Sequence, residues 1–173
     1  MSWLLFWVHL VALAIWLGET VFFALVVAPA LFGGLDAQQA GAAVALIFPG
    51  YYLAGYACGA LLIATALALW QRSGPGSGVW LSAALVSGAM LAVELIAGLY
   101  ILPQADALRI QLREASAAPA VREQFDQLHR VAVQLNAAVL IGNLILAGLV
   151  AAGLSRGLTP RRRLSRYGSD PLL

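Results

Sequence analysis

The sequence predicts an all-α integral membrane protein: a four-helix bundle with a helical hairpin outside the membrane between the third and fourth helices. Composition is the first observation, since 62% of the 173 residues are hydrophobic and only 10% are charged. The second is a set of four apolar runs, each about twenty residues or longer, enough for a helix to cross a hydrocarbon core of about 30 Å. Helices are the expected backbone solution for apolar runs of this length in lipid.

The four runs follow one another with short breaks. We take the first as a retained helix, because it lacks the basic start of a signal peptide and is too long for one. In the break after it, Asp36 and Gln39 have the spacing of a helix N-terminus. We expect a short helix from there to about Pro49. The predicted membrane spans are residues 3–32, 51–70, 79–102 and 131–154.

A polar segment of about residues 103–128 separates the last two runs. Asp106 and Arg109 lie three residues apart, the spacing of an ion pair on a helix. Pro119 suits the first turn of a helix that continues into the membrane. The segment therefore predicts two helices prolonged past the bilayer as an antiparallel external hairpin.

Arginines predict the orientation, since the sequence contains no Lys. Placing the N-terminus inside puts Arg72 and the arginines of the C-terminal tail on the cytoplasmic side, as the positive-inside rule favours. Residues 1–154 then form the transmembrane domain, and residues 155–173 form a basic cytoplasmic tail. We expect a multi-pass protein with both termini in the cytoplasm. The tail lacks interleaved aromatic residues, so no nucleic-acid binding is predicted.

The stretch "LHRVAVQLNAAVLIGN" carries a polar stripe into the fourth run. His129, Asn136 and Asn143 are each seven positions apart, close to two helical turns. At about 1.5 Å per residue, Asn136 is expected at the depth of Glu94 and Asn143 at the depth of Glu19. These depths predict two acid and amide pairs. An ionised, unpaired acid in lipid is costly, so both should face the bundle interior and at least one should hold its proton.

Two interpretations of this polar seam stay open. In the first, the side chains hold the fourth helix to its neighbours, because hydrogen bonds and small residues drive helix association in lipid. The segment "GYACG" in the second run would then supply a close-approach motif. In the second, the seam lines a pocket or proton path that opens outward, as acids buried in membranes usually have a function. The seam residues are Glu19, Glu94, His129, Asn136 and Asn143.

His9 is a candidate haem or metal ligand on the same face as Trp16 and Thr20. Two histidines in a four-helix protein suggest bis-imidazole haem ligation. His129, however, lies about 20 Å away along the membrane normal at the standard helical rise, so one iron cannot bind both. A single axial bond from His9 stays possible, as does a hydrogen-bonded packing role. We predict no cofactor, with haem on His9 as the alternative.

Three segments carry a resemblance to a known family: "HLVALAIWLGETVFFALVVAPALF", "LIFPGYY" and "FDQLHRVAVQLNAAVL". They resemble the bacterial branch of the transmembrane protein 205-like family, whose bacterial members were catalogued as a domain of unknown function. The resemblance covers all four runs and leaves out the basic tail. The positions that carry it are His9, Trp16, Gly18, Pro29, Phe48, Pro49, His129 and Asn136.

The resemblance implies a four-helix protein of the bacterial inner membrane, with a loosely defined link in animals to drug resistance. It implies no catalytic residue. The early histidine and the "WLG" segment also resemble copper-resistance protein D and the membrane protoporphyrinogen oxidases. Those relatives would imply a ligand role for His9.

Two functions follow as hypotheses. The favoured one is a non-enzymatic auxiliary or interaction subunit, bound to a membrane-protein partner or to copies of itself in the lipid bilayer. The alternative is a haem-binding redox protein or a proton- or ion-handling protein. It would use His9 as the ligand, or Glu19 and Glu94 as proton carriers.

Overall fold

The computed structural model describes residues 2–73, 78–112 and 118–158, and these residues are almost entirely helical. Two short wide turns of π-helix interrupt otherwise regular α-helices. The elements are α1 (Ser2–Phe22), a π-helical turn (Phe23–Val27), α2 (Ala28–Gly34), α3 (Ala37–Arg72), α4 (Gly78–Ile96), a second π-helical turn (Ala97–Ile101), α5 (Leu102–Gln111) and α6 (Pro119–Leu158).

These elements join into four rods that are long and apolar enough to cross a membrane. This confirms the predicted all-α fold and is consistent with a four-helix bundle of a multi-pass membrane protein. In chain order we call the rods the first to fourth spans: Trp3–Gly34, Ala37–Arg72, Gly78–Gln111 and Pro119–Leu154.

The spans pack in a ring. α3 contacts both α1 and α4, and α6 closes the ring by contacting the same two helices. The first and third spans therefore stand at opposite corners of the bundle, and the second and fourth occupy the other two corners. Trp16, Leu62 and Leu146 are fully buried near the centre. A side chain that reaches across either diagonal must pass through this core.

The second span is longer than the sequence analysis predicted. The short helix expected to end near Pro49 does not end there, because α3 runs unbroken through Pro49 to Arg72. The predicted start is confirmed, since the Asp36 side chain accepts a hydrogen bond of 2.8 Å from the Gln39 backbone N–H. A proline inside an apolar helix removes one backbone hydrogen bond, whereas ending the helix in lipid would leave several groups unpaired.

The two π-helical turns occupy matching places in the first and third spans. Each is followed by a proline within two residues of its end, Pro29 after the first and Pro103 after the second. A proline lacks the N–H of the regular ladder, and its ring collides with the carbonyl four residues earlier. A wider turn relieves that collision. Such turns are frequent at functional sites, and an acid, Glu19 or Glu94, precedes each one by three or four residues.

At the far end of the third span, α5 packs against α6. Arg109 forms a 3.1 Å ion pair with Asp106, as the spacing suggested. The predicted external hairpin is thus continuous with the third and fourth spans, except for residues 113–117, which lie outside the described residues. Its position outside the membrane stays a prediction. Of the predicted basic tail, residues 155–158 form the end of α6, and the rest lies outside the described residues.

Candidate functional site: the polar interior of the bundle

The interior of the bundle is lined by polar side chains that recur every seven residues. In the third span, Trp80, Ser87 and Glu94 follow this spacing, which returns a helix to nearly the same face. Ser87 and Glu94 are both buried. His9 and Trp16 follow the same spacing in the first span, and both are fully buried. The four helices therefore turn polar groups toward one another and away from the surrounding lipid.

Glu19 and Glu94 lie at the same level of the bundle. They come from opposite corners, and Gly59 lies against Trp16 and Leu91, each three residues before one of the acids. Glu94 is only 2% exposed, and Glu19 is half-buried. The Oε1 atom of each has no hydrogen-bond partner among the described residues. The structure thus places at one level two acids that were predicted to pair with different amides.

The surroundings of Glu94 are tight and aromatic. Gly55 of α3 lies against it so closely that a Cβ atom there would be 2.6 Å from Glu94 Oε1. One turn further along the third span, Gly98 lies against the rings of Tyr52 and Tyr56. The Tyr56 hydroxyl is buried without a hydrogen-bond partner among the described residues. Glu94 is therefore packed directly against the second span.

Asn136 takes a different partner from the one predicted. Its Oδ1 atom accepts a 2.7 Å hydrogen bond from the Tyr51 hydroxyl, which connects the second and fourth spans across the other diagonal. The predicted pairing with Glu94 is therefore wrong. The helical rise predicts how deep Asn136 lies in the membrane, but it does not predict which helix Asn136 faces. The long side chain of Tyr51 reaches Asn136 from the second span.

Asn143 is fully buried and makes no hydrogen bond. Neither its Nδ2 nor its Oδ1 atom has a partner among the described residues, so the predicted hydrogen-bonded pair with Glu19 is wrong as well. The neighbouring Gly142 lies against Met90, where a Cβ atom would be 2.5 Å from Met90 Cγ. This contact places Asn143 at the level of Met90, about one turn from Glu94 along the third span.

His9 is held at the opposite end of the polar interior. Its Nδ1 atom lies 2.8 Å from Thr65 Oγ1, and the Thr65 hydroxyl donates a 2.6 Å hydrogen bond to the Leu61 carbonyl. Because a hydroxyl has one proton and Thr65 gives it to Leu61, Thr65 must accept from His9. A neutral His9 therefore carries its proton on Nδ1 and presents Nε2 as an acceptor. That Nε2 atom is buried without a partner among the described residues.

His129 does not join the interior groups. It is exposed in the N-terminal part of the fourth span. Its ring is stacked on Phe125, with centroids 6.5 Å apart, and meets the edge of Phe32 at 6.3 Å. At His129, α6 lies outside the part of the bundle where the four spans pack around Asn143. The three residues of the polar stripe predicted on α6 therefore differ. His129 is exposed, Asn136 is hydrogen-bonded, and Asn143 has no hydrogen-bond partner among the described residues.

The arrangement at His9 has one feature of a metal ligand, because ligating histidines usually donate their other ring N–H to an oxygen. The ring is nevertheless fully buried and meets the edge of Trp80, with ring centroids 5.5 Å apart. Within the described residues, no group of three or more His, Cys, Asp or Glu side chains could hold a metal ion. The separation of His9 from the exposed His129 gives no support to a haem bound by both.

Sequence reasoning missed several interior residues. Ser87 could have been found, since it lies seven positions before Glu94 and seven after Trp80. Thr65 and the tyrosines Tyr51, Tyr52 and Tyr56 gave no comparable signal, because hydroxyl groups in an apolar helix often bond only to their own backbone. Their roles depend on which helices are neighbours, and that is a property of the bundle.

The positions of the family resemblance are spread over two environments. Trp16 is fully buried, whereas Gly18, Pro29 and Pro49 are exposed. Phe48 lies between them, half-buried in an aromatic cluster with Phe23, 5.1 Å away between ring centroids. The buried position can shape the interior, and the exposed ones lie on the lipid-facing surface.

Comparison with known proteins gave one match. A family model described as a domain of unknown function (DUF4149) matches residues 11–114. The matched segment includes Glu19, Glu94 and the tyrosines beside them, and it excludes His9, Asn136 and Asn143. No curated protein and no solved structure matches the chain.

Proposed function

The chain belongs to the DUF4149 family, and we propose that it is a non-enzymatic protein of the bacterial inner membrane that binds and releases protons through Glu19 and Glu94. It would act on its own or as an auxiliary subunit of a larger membrane assembly. The observation that supports this proposal is that the two acids lie at one level of the bundle and each has a buried carboxyl oxygen without a hydrogen-bond partner among the described residues.

The lack of counter-charges points to protons. None of the four apolar runs contains Lys or Arg, so no fixed cation can neutralise the acids. Two ionised carboxylates at short range repel each other, and the membrane interior strengthens that repulsion. A pair of this kind is held together most readily by a shared proton. Acids that face the interior of a membrane bundle are typical of proton relays.

The packing around the pair suits a site for a small species. Gly55 allows α3 to pack against Glu94. Nearby, the hydrogen bond from Tyr51 to Asn136 connects the second and fourth spans. A rigid surround of this kind favours exchange of protons over binding of a bulky substrate. The proposal requires no cofactor.

Proton flux into vesicles tests the proposal. Purified protein is reconstituted into liposomes that contain a pH-sensitive dye, and a potassium diffusion potential drives protons inward. We expect acidification several-fold faster than in protein-free vesicles, and a fall to the protein-free rate for Glu94→Gln. Glu19→Gln should have a similar effect. Glu123→Gln is the matched control, because Glu123 is an exposed acid on α6.

The proposal fails if both interior variants keep the wild-type rate, or if the wild-type protein adds nothing to the protein-free rate. An absorption spectrum of the same preparation addresses the haem alternative. A Soret band that disappears in His9→Ala would favour the haem-binding redox protein over the proton-handling one.

The orientation and the finer family assignment are further proposals. The arginine distribution supports a cytoplasmic location for both termini. A reporter that is active only in the periplasm should therefore be silent when it is fused after Leu173. Activity of that reporter would reverse the orientation. Membership of the transmembrane protein 205-like family rests on the resemblance stated above, and the match to DUF4149 agrees with its bacterial branch being a domain of unknown function.

An interaction role for the outer end of the bundle is a second candidate. The first turns of α6, from Pro119 onward, are mostly exposed, which leaves a helix face free for a membrane-protein partner or a second copy. The predicted hairpin carries Arg109, Arg113 and Arg122, and neutralising all three should release a partner held by the hairpin. If the same proteins co-purify with the triple variant, this docking role is abandoned.

A further inference from the structure

We propose that the interior of the bundle binds a file of water molecules that extends from the carboxyl pair to His9. The ligand class is water, and the site is the set of interior side chains that lack partners. The presence of the file is independent of the proposed function, whereas its use as a proton path rests on that function.

The main observation is a succession of fully buried polar side chains with unpartnered atoms. From the His9 level to the Glu94 level these atoms are His9 Nε2, Ser87 Oγ, both amide atoms of Asn143, Trp16 Nε1 and Glu94 Oε1. All five side chains are at most 2% exposed. Leaving a buried donor or acceptor unpaired is costly, so five such side chains at successive levels call for a ligand that pairs with them.

The contacts between helices place these groups at successive levels. Gly59 lies against both Trp16 and Leu91, which puts the first and third spans in register there. Gly142 lies against Met90 and puts Asn143 at the same level. Glu94 is one turn beyond in one direction, and Ser87 is one turn back in the other. The side chains that bear the unpartnered atoms therefore lie at successive levels along the bundle.

Water is the ligand that satisfies this mixed set. Trp16 Nε1 can only donate, His9 Nε2 in the neutral form deduced above can only accept, and Asn143 does both. A water molecule donates and accepts, and buried waters typically make about three hydrogen bonds to such groups. Alanines at nearby core positions, Ala12 and Ala83 among them, keep the side-chain volume low.

His9 sets the inner end of the file. Its Nδ1–H is committed to Thr65, so Nε2 can orient the last water with a hydrogen toward the ring. Trp80 covers the ring edge-on. The file would thus connect Glu94 to a level close to the inner ends of the first and third spans, while Tyr51 and Asn136 hold each other at the outer level.

Radical footprinting in detergent-solubilised, folded protein tests the file. Brief radiolysis of water produces hydroxyl radicals that modify side chains beside bound water, and mass spectrometry measures the modification. We expect Trp16 to be modified although its ring is fully buried. Asn143→Leu should lower that modification several-fold, whereas Asn143→Ser, which keeps a hydrogen-bonding group, should preserve it. Ile145→Leu, on the exposed face of the same helix, is the control for substitution alone.

Vesicle proton flux for the same variants separates the two proposals. Loss of both Trp16 modification and flux in Asn143→Leu supports the file as a path. Modification that is absent from the wild type, or unchanged in Asn143→Leu, overturns the file. Loss of modification with unchanged flux overturns its use as a path. If the wild type shows no flux but its Trp16 modification depends on Asn143, the file is supported and the proposed function fails.

Discussion

Acids outside the core of the bundle and acids inside it differ in their exposure and in their hydrogen-bond partners. Asp106, near the end of the third span, meets Arg109 at 3.1 Å and remains partly exposed. Glu94, twelve residues earlier in the same span, is buried and has an unpartnered oxygen among the described residues. Outside, an acid finds a guanidinium group or water. Inside, the apolar runs contain no Lys or Arg, so neither acid has a fixed cation beside it, which indicates a role other than stability.

The contact between Gly55 and the buried acid Glu94 should give the largest of these effects on stability. Gly55→Val would place a side chain within 2.6 Å of Glu94 Oε1, so either helix α3 or the acid must move. Overpacking of this kind costs about 1–3 kcal/mol. Gly88→Val is the control, because nothing lies within 4 Å of a Cβ atom there. Denaturation in mixed micelles measures both, and equal losses for the two variants would show that the Gly55 contact is loose.

The hydrogen bond across the second diagonal should matter less. Tyr51→Phe removes the 2.7 Å bond to Asn136, and bonds between transmembrane helices contribute about 0.6 kcal/mol on average and up to about 1.7. We expect a loss within that range, measured in the same micelles. Tyr100→Phe, at a residue that is 65% exposed, should change nothing. A loss for Tyr100→Phe as large as that for Tyr51→Phe would contradict the assignment.

At the start of the second span, the helix cap should have an effect of similar or smaller size. Asp36→Ala removes the bond to the Gln39 N–H and should cost about 1 kcal/mol. Asp36→Asn keeps an accepting oxygen and should retain most of that stability. Gln38→Ala, an exposed neighbour without this bond, is the control. If the Asn variant is as unstable as the Ala variant, the cap geometry is not what stabilises α3.

The ion pair at the end of the third span should have the smallest effect. Asp106→Asn is expected to cost less than about 1 kcal/mol, because exposed pairs are screened by water and salt. The loss should shrink further at high salt, and a double-mutant cycle with Arg109→Gln isolates the pair. A coupling energy larger than the effect of Tyr51→Phe would contradict this ranking, because the exposed ion pair would then contribute more to stability than the interior hydrogen bond.

The sequence was sufficient for the fold because the apolar runs and helix propensities act locally. It located the four spans, the Asp36 cap and the ion pair of Asp106. It did not predict the continuation of α3 through Pro49, which depends on the absence of water to satisfy a broken helix. Depth arithmetic placed Asn136 near Glu94 along the normal, but the partner of Asn136 depends on rotation of the helices about their axes. The π-helical turns gave no separate signal beyond their prolines.

The meeting of Glu19 and Glu94 inside the bundle is the central claim, and cross-linking in native membranes tests it most directly. The background variant Cys58→Ala removes the one native cysteine. Glu19→Cys combined with Glu94→Cys should be joined efficiently by a short bis-thiol reagent. Glu19→Cys combined with Leu95→Cys should not, because Leu95 is 37% exposed on the outside of the same helix. Efficient cross-linking of the second pair, with none in the first, would show that the acids face lipid and not each other.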